Sequence, residues 1–116
     1  MTASAFSLSS LVAAESFELL SGDPMLGGLK GDTRHYFCRA CLSWLYTIPP
    51  MATDLVNVRS GMLDDFEGHR PFAEFHLAEA LPGMALGLER GYAASIDMAG
   101  FERLLADFAQ SRADCA

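Results

Sequence analysis

The sequence predicts a mainly β protein that ends in one α-helix, and three observations carry that prediction. Apolar and polar residues alternate over short segments through the first two thirds of the chain, the period of half-buried strands. Turn-forming residues interrupt those segments at Gly22-Asp23-Pro24, Gly27-Gly28, Gly31-Asp32, Pro49-Pro50, Asp64-Asp65 and Pro71, spacings too close to leave room for long helices. The period lengthens to that of a helix only after Ser95.

Taken in order, Phe6, Leu8 and Val12 lie near one period-2 face and predict a first strand. Trp44, Tyr46 and Ile48 share a face of another, and Ala73, Phe75 and Leu77, alternating with Glu74 and His76, predict a further one. Residues Glu79 to Tyr92 carry three glycines and little periodicity, so they read as loop or a short irregular helix. Met98, Phe101, Leu104, Leu105 and Phe108 then recur at helical spacing behind Ser95 and Asp97, either of which suits an N-cap. The spacing predicts a helix over about Met98 to Ser111, with its apolar stripe packed on the sheet.

Composition narrows the function classes. A chain of 116 residues with 51% hydrophobic content suits a single domain over 1–116 that buries roughly 65% of its unfolded surface. The net charge of −7 argues against nucleic acid and anionic lipid, both of which require clustered Lys and Arg. No apolar run approaches the roughly 18 residues of a membrane span, and the N-terminus lacks a basic region before an apolar one. Three cysteines, two of them in one short motif, do not make a secreted disulfide framework and point to a reducing, cytoplasmic setting.

The chemistry-bearing stretch is Phe37-Cys38-Arg39-Ala40-Cys41-Leu42-Ser43-Trp44. Cys-x-x-Cys supplies two thiolates from one tight turn, half of the tetrahedral set that structural zinc requires. Three readings of Cys38 and Cys41 stand open: a zinc knuckle, which explains the aromatic lead-in and the strand that follows; a redox dithiol, which calls for a helix N-terminus at the first cysteine; and two ordinary buried thiols. His35, three residues before Cys38, is near enough in sequence to complete a coordination sphere. His76 reads as a surface residue or one facing a pocket, and Glu74 with His76 as an i, i+2 pair for proton transfer. Cys115, in a polar C-terminal tail, reads as a bystander.

The run Phe37 to Leu45, with Phe17-Glu18-Leu19-Leu20-Ser21-Gly22 before it and Val56-Asn57-Val58-Arg59-Ser60-Gly61-Met62-Leu63-Asp64-Asp65 and Arg70-Pro71-Phe72 after it, resembles the glutathione-dependent formaldehyde-activating (GFA) family, which also contains the centromere protein V type domains. The resemblance covers about Met1 to Leu81. It implies a zinc-ribbon-like β-tent fold and an activity that forms or cleaves a carbon–sulfur bond, joining formaldehyde to the thiol of glutathione. It also implies Cys38 and Cys41 as ligands of a structural zinc. The Cys-x-Cys pair that completes this zinc in the family, and the Cys-x-Cys-x-x-Cys group associated with its catalytic zinc, have no counterparts in the sequence. A family domain would already be under way where this chain begins. Leu42 is a further departure, because knuckles favour Gly there for its positive φ.

Two functions follow from the resemblance: a zinc-associated carbon–sulfur lyase-type domain acting on a glutathione–formaldehyde adduct or related small thiol, impaired in catalysis, or a degenerate, non-catalytic binding or oligomeric module. Loss of N-terminal strands would leave an unpaired edge around Phe6 to Val12, and a homo-oligomer is the expected remedy.

Overall fold

A computed structural model describes residues 4–28, 31–65 and 67–115. The chain forms two compact units, Met1–His69 and Arg70–Ala116.

The first unit is one antiparallel sheet of five strands: β1 Ser9–Ala13, β2 Met25–Gly27, β3 Arg34–Phe37, β4 Trp44–Ile48 and β5 Leu55–Arg59. Their spatial order is β1-β5-β4-β3-β2. Strands β2 to β5 form a meander through short turns, and β1 lies outside β5, so β1 and β2 are the two edges. Pro49-Pro50 ends β4 because Pro cannot donate to a ladder, and the turn it opens is tied by Ala52 N–H to Pro49 C=O and Leu55 N–H to Ala52 C=O.

Cross-strand register sorts the side chains onto two faces. On one, Val12 stands opposite Val56, and Tyr46 is opposite both Val58 and Tyr36. The rings of Tyr36 and Tyr46 stack at 4.7 Å, with Phe17 at 4.8 Å from Tyr46. This is the apolar face, and Val56, 4% exposed, is its most buried apolar residue. The opposite face carries His35 opposite Thr47, Thr47 opposite Asn57, and Arg59 opposite Ser9.

Trp44 departs from its expected place. Alternation alone puts it on the Tyr46 face, but the β3–β4 register slips after Tyr36, so that Phe37 pairs with Trp44 rather than with Leu45. A one-residue irregularity turns a side chain to the other face. Trp44 therefore joins His35, Phe37 and Thr47, donating from Nε1 to Thr47 Oγ1 at 3.1 Å.

In the second unit the helix forms and the predicted strand does not. Ala73 to Leu77 contribute only an isolated bridge, Glu74 to Gly91, followed by a 3-10 turn over Leu77–Glu79. The physical reason is local. His76 adopts a left-handed φ of 59°, which breaks the extended run, and the Glu74 carboxylate accepts N–H bonds from Leu86 and Leu88 at 2.5 and 2.9 Å. The segment thus braces the glycine-containing loop behind it instead of pairing along a strand. The helix α1 spans Met98–Asp114, with Asp97 as N-cap accepting from Gly100 N–H at 2.7 Å. It runs past Ser111 because its last residues tolerate helix and Gln110 donates to Asp114 at 2.8 Å, an i, i+4 pair. Leu104 is 7% exposed, the helix's most buried residue.

Val56 and Leu104 are the buried apolar residues among those described, while Leu20, Met51, Leu26 and Leu42 remain largely exposed. No helix among the described residues is long and apolar enough to cross a membrane.

Candidate functional site

The β3–β4 connection holds the cysteine motif. Leu42 N–H donates to Cys38 C=O and Cys38 N–H to Ser43 C=O, both at 2.9 Å, closing a tight turn. Leu42 completes it in the left-handed conformation at φ 60°, so the turn adopts the backbone that glycine favours without having glycine. Cys41 is exposed and Cys38 half-buried, which removes the reading of two buried thiols. Neither cysteine opens a helix, which removes the feature that would make the pair a helix-activated dithiol.

The Cys41 thiol donates to Ser43 Oγ at 3.2 Å. Hydrogen bonds from the Ser43 side chain first, then from the Ser43 backbone and the Cys38 side chain, hold the Cys41 pKa below the ordinary thiol value, because each stabilises the thiolate. Two thiols on one turn, with the Cys41 pKa lowered, are the chemistry of a metal-ligand pair or of a soft nucleophile.

The histidines do not join them. His35 Nδ1 lies 2.8 Å from Thr47 Oγ1 and its ring meets the edge of Trp44 at 5.1 Å. Burial lowers its pKa, since desolvation disfavours the imidazolium. His76 is exposed at its left-handed corner, and the Glu74 carboxylate is engaged by loop amides that hold its pKa low, so the two do not make a base pair for proton transfer. Among the described residues no group of three or more His, Cys, Asp or Glu gathers to hold a metal.

Beside the turn, on the polar face of the sheet, stands a cluster that sequence reasoning missed. The Arg59 guanidinium carbon lies 4.3 Å from the centre of the Trp44 ring, and Nη1 donates to Ser9 Oγ at 3.1 Å. Burial lowers its pKa. Phe37 stacks beyond Trp44 at 6.2 Å. Arg59 stood in the sequence as one residue of a longer run; its partners come from β1 and β4, and only the sheet order brings them together.

A family model described as glutathione-dependent formaldehyde-activating enzyme matches residues 1–79. The chain belongs to this family. The match takes in the whole five-stranded unit, and the mainly β architecture with a C-terminal helix agrees with it. No curated protein and no solved structure matches the chain.

The GFA family is zinc-associated, and the donor set decides how far that carries over. A structural zinc closes with four N or S ligands. Cys38 and Cys41 fit two of them. His35 is committed to Thr47, and the described residues gather no group of three or more donors. They do not fit a closed zinc site.

Proposed function

We propose that this GFA chain is a carbon–sulfur lyase-type domain that handles a glutathione–formaldehyde adduct or a related small thiol, with catalysis impaired in the 116-residue polypeptide. The observation that carries the reading is the Cys38 to Cys41 turn, which keeps knuckle-like backbone and two accessible thiols but gathers no further donor. Forming the adduct requires a thiolate at neutral pH and stabilisation of charge developing on the formaldehyde oxygen. A metal with an open coordination position supplies both in enzymes that use one, and the described residues do not hold the ligands for it.

The test is to mix the purified chain with formaldehyde and glutathione and follow the hydroxymethyl adduct by NMR. The expected result is adduct formation at the spontaneous rate, with adduct signals broadened by binding. Zinc-dependent acceleration that disappears in Cys38→Ser would overturn the impairment. Absence of any binding would favour the second reading, a non-catalytic module.

That second reading has its own support in β1, an edge strand whose Leu11 is 40% exposed. Open strand edges invite pairing with another chain. The proposal for assembly is a homo-oligomer in a reducing buffer, and a monomeric mass by light scattering at micromolar concentration refutes it.

A further inference from the structure

The guanidinium of Arg59 is fixed in place yet meets no counter-ion among the described residues. Trp44 of β4 lies under it and Ser9 of β1 holds Nη1, so neighbouring strands on both sides of β5 set its position. Among the described residues no carboxylate pairs with it, although the chain has 15 acidic residues against eight Lys and Arg. A half-buried cation without an anion is raised in energy by lost hydration, and that energy is recovered when an anion docks. Among the described residues only Nη1 is engaged by a protein acceptor, which leaves the rest of the planar donor fork available.

We propose that Arg59, held by Trp44 and Ser9, is a binding site for the carboxylate of a small acidic molecule. The planar fork matches a carboxylate with two parallel N–H to O bonds. A phosphate dianion would call for a second cation, and the described residues of the first unit bring none: Arg39 is paired with Asp23 at 2.9 Å, Arg34 alternates onto the opposite face from His35, and His35 is tied to Thr47. A polyanion is repelled by the net charge of −7. The choice of glutathione, with its two terminal carboxylates, as the first probe rests on the small-thiol reading above; the carboxylate site itself does not.

Trp44 is the chain's single tryptophan, so its fluorescence reports on the guanidinium beside it. Glutathione, glutathione diethyl ester and glutarate are titrated into the protein at low ionic strength. The expected result is a saturable change in emission with glutathione and with glutarate, none with the diester, and binding weakened roughly tenfold or more in Arg59→Gln. Arg59→Lys should also bind more weakly, because a point charge lacks the fork. A diester that binds as tightly as the free acid overturns the proposal, as does silence with both acids; both results come from the unaltered protein. Response to glutarate but not to glutathione supports the carboxylate site and sinks the small-thiol reading. Broadening of the adduct signals that persists in Arg59→Gln, with Trp44 unresponsive, overturns the site and leaves the small-thiol reading standing.

Discussion

Arg59 lies over the Trp44 ring at 4.3 Å because a slip in the β3–β4 register turns Trp44 to the face where Arg59 stands opposite Ser9. The contact joins two strands across a part-buried surface, where a cation–π pair contributes about 0.5–2 kcal/mol. A double-mutant cycle with Trp44→Leu and Arg59→Gln, read by urea unfolding, should give a coupling of about 0.5–1 kcal/mol. Strict additivity of the two substitutions would show that the pair does not interact in solution.

Leu42 holds a left-handed backbone at φ 60° while its side chain is 62% exposed. The conformation costs a non-glycine residue roughly 1–2 kcal/mol, and glycine's extra freedom in the unfolded chain offsets about 0.5–1 kcal/mol of the relief. Leu42→Gly should therefore raise the unfolding temperature modestly, by a net stabilisation of up to about 1 kcal/mol. Leu42→Val should lower it, since a β-branched residue suits that region least. A glycine variant that melts below the parent would contradict the strained turn.

The lowered Cys41 pKa has Ser43 as its first cause. In peptide-resolved alkylation with iodoacetamide, the pH midpoint at Cys41 should fall below that of an ordinary thiol, because the thiolate reacts. Ser43→Ala should move the midpoint upward and slow labelling at pH 7. An unchanged profile in that variant would assign the effect elsewhere.

Zinc added to the chain should be retained only substoichiometrically after dialysis against a mild chelator, since two thiolates with water lack the closure of structural sites. Elemental analysis decides it. A full equivalent that survives dialysis and is lost in Cys38→Ser would mean that the turn finds its missing ligands.

His35 has its pKa lowered by burial, so the unfolded chain binds the proton more readily than the folded one. The stability this contributes is fully present above the unfolded value of about 6.5 and is lost as pH falls through the lower folded value. Melting temperature should decline between pH 7 and 5 with a component that His35→Gln removes. If both proteins lose stability in parallel across that window, His35 is not its source.

Legibility followed the range of the interactions. The helix was readable because its apolar spacing and its Asp97 cap are local, and its end was misplaced by three residues only because the apolar stripe stops before the helix does. Strand β4 lies where its alternation predicts, with Trp44 turned to the other face by the register slip, and of the predicted Phe6, Leu8 and Val12 face only Val12 falls within β1. The segment Ala73 to Leu77 alternates as well, but alternation does not provide a partner strand, and what it meets is a loop held by the Glu74 carboxylate. Within the site, the cysteine turn was visible as a motif, and the positive φ that it needs is met by Leu42.

By itself the sequence determined a mainly β chain with a capped C-terminal helix, a Cys-x-x-Cys turn and membership of the GFA family, because turn chemistry, periodicity and ordered motifs are written in neighbouring residues. Only the tertiary structure decided that β1 returns to pair with β5, that Trp44 crosses to the polar face, and that Ser9, Trp44 and Arg59 meet there. Those outcomes depend on hydrogen bonds between residues as far as fifty positions apart, whose register no local pattern specifies.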